Sequence, residues 1–390
     1  MKARIPIWFL LVFALGMPGF AQVRSPAGAK PLQDENFFPI AVWLQHPRNA
    51  EKFKAAGINL YVGLWRGPTS EQLTALKEAG MSVICHQNST ALSHPSREII
   101  LAWMHGDEPD NAQSLGSGKG YGPPIAPEKI QSDYRSIREA DPTRPVFLNL
   151  GQGVAWDNYI GRGVRRNRPE DYPEYIKGAD IVSFDIYPVV HTDPQIKGKL
   201  EFVARGVKRL VDWCAGSAKT VWNCIECTHI SNPDAKATPA EIRAEVWMAL
   251  IHGSKGIIYF VHQFQPRFIE AALLEDPETL AAVTEINAQI ASLAGVLNSP
   301  TIDAEVAVET TDEPFEAAVM MKKRDGATYL FTVGMENQGG LATFRSSALP
   351  EHGTVEVLGE ERTLPLARHS FTDSFKPYGV HLYRIPAGER

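Results

Sequence analysis

The chain has 390 residues, 44% hydrophobic and 22% charged, with a net charge of −6. These are the values of an ordinary soluble globular protein, and scattered Lys and Arg leave no basic footprint for nucleic acid. The length has room for an α/β barrel of roughly 250 residues and a second, smaller unit.

Lys2 and Arg4 precede the apolar run Ile5–Leu15, and Gly16, Pro18 and Gly19 lead to a small-residue end at Ala21. A basic start, a short hydrophobic middle and a small-residue cut predict a signal peptide over 1–21, followed by a polar linker over 22–35. The middle is shorter than the ~20 residues of a membrane span, and no cysteine sits at the cut to carry lipid. The cleaved protein is therefore expected in the periplasm or outside the cell, free of the membrane. Four cysteines, Cys85, Cys214, Cys224 and Cys227, are too few for a disulfide framework. They read as packing residues with at most one disulfide, its pairing open, rather than as a zinc or redox site.

Short apolar strands then alternate with helical stretches. Strand one is Phe38–Leu44, and a short helix over 49–56 stops at Gly57. Strand two is Leu60–Trp65, and Ser70 is expected to cap a helix that ends at Gly80. Strand three, Ser82–His86, is followed so closely by strand four, Ile99–Met104, that the third helix must be short or absent. Past the acidic cluster Asp107, Glu108 and Asp110 comes a Gly-rich loop over 114–124, whose spacing does not fit a phosphate-binding P-loop. It is read as a flexible loop at the mouth of the site. A helix over 128–140, strand five (Val146–Leu150), an Arg-rich loop and strand six (Ile181–Tyr187) follow. A helix over 200–214, strand seven (Thr220–Glu226), a helix over 239–251, strand eight (Gly256–Phe260) and a helix over 277–293 complete the pattern. Eight strand-then-helix units without a Gly-rich first turn predict a closed (β/α)8 barrel over 36–297 rather than an open doubly wound sheet. From about Pro300 the pattern changes to strands at Ala304–Val308, Phe315–Met321, Thr328–Val333, Thr354–Leu358 and Val380–Ile385, parted by turn residues such as Arg324-Asp325-Gly326. This predicts a small antiparallel β-sandwich over 298–390.

Barrels keep their chemistry just past the ends of buried strands. Two glutamates stand there: Glu108 after strand four and Glu226 ending strand seven. Cleavage of a glycosidic bond needs two carboxyl groups, one protonated and one ionised, about 5–5.5 Å apart in a retaining enzyme. Two barrel strands can hold such a pair across the mouth.

The chain resembles the clan A retaining glycoside hydrolases, whose (β/α)8 barrels carry an acid/base glutamate after strand four, usually as Asn-Glu-Pro, and a nucleophile glutamate after strand seven. Here the first motif is Asp107-Glu108-Pro109, with Asp in place of Asn; Asp accepts a hydrogen bond from a sugar hydroxyl but donates none. The resemblance implies that Glu108 is the acid/base and Glu226 the nucleophile of a double displacement. It also implies that Tyr187, in Phe184-Asp185-Ile186-Tyr187-Pro188, hydrogen-bonds the nucleophile, and that the C-terminal sandwich is the appended one of many clan members. The expected substrate is an oligo- or polysaccharide with β-glycosidic bonds.

Other strand ends supply partners for a sugar. Trp43, Trp65, Tyr259 and Phe260 can stack on pyranose faces, and Arg66 can keep the nucleophile ionised. Asp107, His86, Asn149 and His262, with Gln87, His191 and Gln263, lie where hydroxyl groups need partners. His105 and Asp107 lack a third ligand at a fitting spacing, so neither metal nor cofactor is expected. No strand end carries a Schiff-base lysine, against an aldolase. The alternative to an enzyme is an inactive barrel that binds carbohydrate.

Overall fold

The computed structural model describes residues 30–311 and 315–387. The predicted signal peptide, with most of the linker, lies outside the described residues. The first sheet is wholly parallel and contains β1 (Ile40–Trp43), β2 (Leu60–Val62), β3 (Ser82–His86), β4 (Ile100–Asp107), β5 (Val146–Leu150), β6 (Ile181–Phe184), β7 (Thr220–Val221), β8 (Asn223–Glu226) and β9 (Ile257–Phe260). β7 and β8 are two pieces of one barrel strand, parted only at Trp222. β7 pairs with β6 and β8 with β9, while β9 pairs with β1, so the ring closes through the broken strand. That is the expected eight-stranded barrel.

Side chains alternate across each strand. Ala41, Trp43, Leu60, Val62, Ile84, Phe147, Cys224 and Ile258 pack together as one core. Their neighbours Ile40, Val42, Tyr61, Val83, Leu148, Val182, Ile225 and Tyr259 belong to a second core shared with the helices. The strands are thus buried on both faces, as a parallel barrel requires.

The α-helices of the described residues are α1 (Ala50–Ala55), α2 (Ser70–Glu78), α3 (Ser89–Ser93), α4 (Pro127–Ala140), α5 (Tyr172–Tyr175), α6 (Glu201–Trp213), α7 (Pro239–Ile251), α8 (Pro277–Ser292) and α9 (Ala294–Asn298). The third is short, as the spacing demanded. The N-cap of α2 is Thr69 rather than Ser70: Thr69 and Gln72 close a reciprocal capping box. Thr238 and Glu241 do the same for α7, and Asp276 caps α8.

The second sheet is antiparallel, with strands β10 (Ala307–Thr311), β11 (Ala317–Arg324), β12 (Ala327–Gly334), β13 (Gly340–Arg345), β14 (His352–Val357), β15 (Arg362–Ala367), β16 (Ser370–Phe375) and β17 (Val380–Pro386). Their order is β10-β13-β16-β15-β14-β17-β12-β11. Residues from the length of this sheet, including Met321, Leu330, Phe344, Val355, Phe371 and Tyr383, meet in one core, so the sheet wraps over itself. Three of its strands, β13, β15 and β16, went unread in the sequence.

Helix α7 lies between the two units. Residues 244–250 along it are all buried. Trp247 stacks on Phe331 of β12, ring centroids 5.3 Å apart, and Met320, Phe331, Val333 and Leu382 of the second sheet join the barrel's outer core. A helix with no polar face is one enclosed on every side.

Candidate active site

At the C-terminal ends of the barrel strands lies a cavity of about 750 Å³. Its acidic wall is built by β4. The register between β4 and β5 shifts between Met104 and Asp107, a bulge that re-aims the strand end. Glu108 follows with φ +44°, left-handed backbone that is costly for a residue with a Cβ and characteristic of functional sites. The turn is fastened from below. Asp110, fully buried, accepts hydrogen bonds from Gly151 N–H (2.9 Å) and the Tyr172 hydroxyl (2.9 Å). Glu108 N–H donates to the Asn149 carbonyl (3.0 Å). A Cβ on Gly151 would stand 2.7 Å from Asn111 Oδ1 and 2.9 Å from Glu108 Oε1, so any side chain there would make the ends of Asn111 and Glu108 shift.

Four acidic residues line the cavity: Glu270 at the rim and, at the floor, Asp107, Glu108 and Asp185, the last from the end of β6. Glu108 and Asp185 are hydrogen-bonded to each other. Burial, then the charges of Asp185, Asp107 and Asp110, raises Glu108 far above the usual carboxylate range. Burial, then Asp107, raises Asp185 as well, opposed by hydrogen bonds from Glu108 and Tyr187. Two buried carboxyl groups in contact cannot both be ionised, so the pair shares a proton. Glu108 holds it and donates to Asp185. Asp107 is raised by burial and steadied by Asn149, whose Nδ2 donates to Asp107 Oδ1 at 2.9 Å. Ser183 Oγ donates to Asn149 Oδ1 at 2.6 Å, which fixes the amide's orientation.

Around this floor stand Trp43, Trp65, Tyr187, Phe260, His262, Phe264 and Phe268. Phe260, His262, Phe264 and Phe268 pack ring against ring at 5.2–6.2 Å. Trp65, Phe264 and Phe268 are 66%, 45% and 61% exposed, so their faces are open to a ligand. Arg48 and Glu270 form an ion pair at the rim.

Of the residues expected at the site, Glu108, Asp107, Tyr187, Trp43, Trp65, Phe260, Asn149 and His262 line the cavity. Glu226 does not. Its carboxylate is fully buried, accepts Val189 N–H (2.7 Å) and Val190 N–H (3.0 Å), and meets Glu245 of α7. The expected pairing of Glu108 with Glu226 gives way to Glu108 with Asp185, because the segment after β6 covers Glu226. Tyr259 faces outward and donates from its hydroxyl to Asn287 Oδ1 of α8 (2.9 Å). Arg66 lies over the outer Trp65 ring, 5.8 Å from its centroid, away from the carboxyl groups. His86 is exposed at the end of β3 and is not part of the lining.

Sequence reasoning missed Asp185, His46, Arg48, Phe264, Phe268 and Glu270. Asp185 carried a usable signal, an acid immediately past the buried run Ile181–Phe184. All four cysteines are free and buried, and Cys224 lies in the cavity wall. Burial raises the Cys224 thiol, so it is not a thiolate nucleophile. The Gly-rich loop pairs with itself, with Ser114 bridged to Tyr121.

No family model matches the chain, and no curated protein is significantly similar to it. Solved structures do share its fold. An α-amylase from Geobacillus thermoleovorans in complex with acarbose aligns over 90% of this chain and 98% of its own, with 10% identity and a TM-score of 0.52. A putative α-galactosidase/melibiase from Bacteroides fragilis aligns over 89% and 79%, with 8% identity and a TM-score of 0.53. Both alignments run through the barrel and into the second sheet, which establishes the architecture: a (β/α)8 barrel followed by an antiparallel β domain.

Proposed function

We propose that the protein is an exported glycoside hydrolase whose two carboxyl groups are Glu108 and Asp185. The observation that carries this reading is their contact in a cavity walled by aromatic side chains. Glu108 keeps the shared proton and is the acid; Asp185, steadied by Tyr187, is the carboxylate. Groups in contact are nearer the ~5–5.5 Å spacing of retaining enzymes than the ~6.5–9.5 Å of inverting ones. A sugar bond seated between them parts them to the shorter distance first. Asp185 then attacks the anomeric carbon while Glu108 protonates the leaving oxygen. In the second step Glu108 takes a proton from the water that displaces Asp185 and frees the sugar.

Asp107, Asn149 and His262 offer hydrogen bonds to hydroxyl groups, and Trp43, Trp65, Phe260, Phe264 and Phe268 offer apolar faces to the C–H side of a pyranose. Among the described residues of the lining, Arg48 is the one Lys or Arg, and Glu270 pairs with it. With three acids facing the same space, an uncharged sugar is favoured over a uronic or sulfated one. An α-amylase bound to acarbose and a putative α-galactosidase have the same layout, which supports the reading.

The test is hydrolysis of aryl α- and β-glycosides and of neutral polysaccharides by wild type, Glu108→Gln and Asp185→Asn. Turnover by wild type that both substitutions abolish is expected, with the released sugar keeping its anomeric configuration by NMR. Binding without turnover across the panel would leave the alternative, a barrel that binds carbohydrate.

A further inference from the structure

We infer that Glu226 is a positioning residue: braced by Glu245 of helix α7, its carboxylate fastens the segment after β6 and so sets Asp185 and Tyr187 in the cavity wall. The inference rests on the proposed activity only for its kinetic readout.

The geometry is specific. Both Glu226 oxygens are engaged, Oε1 by Val189 N–H at 2.7 Å and Oε2 by Val190 N–H at 3.0 Å. A carboxylate that accepts two successive backbone N–H groups fixes the path of the chain that carries them. That chain begins two residues after Tyr187 and four after Asp185, both of which line the cavity. Further bonds close the same segment: Asn232 Nδ2 donates to the Val190 carbonyl (3.0 Å), and Gly198 N–H to the Pro188 carbonyl (2.8 Å). None of those partners is ionisable. Glu226 is the charged member of the set.

Glu245 explains how the Glu226 carboxylate persists where, among the described residues, the charges that act on it are the acids Glu241 and Glu245. Both are fully buried, and neither Glu245 oxygen has a partner other than Glu226. One proton must therefore lie between them. Glu226 already accepts two N–H bonds, which favour its ionised form, so the proton belongs to Glu245. Protonated Glu245 is then a donor, a part that glutamine can play equally well.

The test is amide hydrogen exchange together with kinetics in Glu226→Ala, Glu226→Gln and Glu245→Gln. Glu226→Ala should speed exchange at Val189 and Val190 at least tenfold and lower kcat ten- to a hundredfold, with KM changed less than threefold. Glu226→Gln keeps one acceptor oxygen and should fall between that variant and wild type. Glu245→Gln should leave both readouts near wild type. The pH profile is diagnostic, since a loosened Asp185–Tyr187 contact moves the acidic limb in Glu226→Ala, whereas a merely structural loss lowers activity at all pH values alike. Unchanged exchange in Glu226→Ala would overturn the inference. Rescue of that variant by azide would too, because it would make Glu226 the nucleophile. Exchange needs no substrate, so a wild type silent on every glycoside would end the glycosidase reading and leave the clamp standing.

Discussion

Two carboxyl pairs sit at the top of this barrel, and they differ in one respect. Glu108 with Asp185 and Glu226 with Glu245 are each buried, each in contact and each raised in pKa by burial. The first opens onto a cavity of about 750 Å³; the second is sealed by the Val189–Val190 backbone on one side and α7 on the other. A perturbed carboxyl group marks a functional site only when a substrate can reach it. The sealed pair has the electrostatics of a catalytic dyad and the surroundings of a structural bond.

The largest test of that contrast is kinetic. Glu108→Gln should cut kcat/KM by about a thousandfold or more, on the order of 4 kcal/mol of transition-state stabilisation, while Glu245→Gln should leave it within a fewfold. Equal losses in steady-state assays of the two variants would erase the distinction.

A second approach is to loosen the helix behind the sealed pair. Trp247→Ala removes a fully buried ring stacked on Phe331. It should cost about 3–5 kcal/mol in chemical denaturation, with near-normal affinity for saccharide where the protein stays folded.

The pH dependence of stability comes next. All four paired carboxyl groups have folded-state pKa values above their unfolded ones, so the folded chain holds the extra protons. Their contribution is complete below the unfolded values, roughly 4, and is lost as the pH rises through the folded values. Asp141, Asp171, Asp276 and Asp373 are lowered in spite of burial, chiefly by hydrogen bonds to Thr143, Arg165, Lys236 and Arg362 respectively, and act in the opposite sense below roughly pH 4. Thermal unfolding should show a maximum in mildly acidic buffer and a decline through neutrality, up to about 1.4 kcal/mol per pH unit for each retained proton. Glu245→Gln should flatten that decline; an unchanged slope would mean the sealed pair holds no proton.

The smallest effect expected is that of Tyr259→Phe. It deletes the hydroxyl that donates to Asn287 and should lower stability by about 1 kcal/mol without changing kinetics. A kinetic defect would contradict its outward orientation.

The barrel was legible because its strands are short apolar runs separated by capped helices, a pattern carried by local sequence. Glu108 was legible for the same reason, since it ends such a run. Orientation was not. Ile257-Ile258-Tyr259-Phe260 is apolar on both faces, so no alternation tells that Tyr259 points to the helices and Phe260 to the cavity. Glu226 fails differently. Its surroundings are set by Val189, Val190 and Glu245, which come from other parts of the chain, and the strand that bears it looks like the one before Glu108. Asp185 was as legible as Glu108, since it too directly follows a buried apolar run, Ile181–Phe184. Strands β13, β15 and β16 break the alternation that marks a strand: Leu341 is exposed on β13, Pro365 interrupts β15, and the buried position between Phe371 and Phe375 of β16 is the polar Asp373.

Helix α7 bears on how such a protein could be taken apart or recombined. One of its residues, Glu245, reaches the strand end behind the cavity, and another, Trp247, is covered by the second sheet. The C-terminal unit is therefore not an interchangeable accessory. A barrel truncated after α8 would present the Trp247 side of α7 to water, and a foreign domain grafted there would have to reproduce that cover. Modular exchange, the usual freedom of appended domains, is closed to this chain unless α7 travels with its sheet.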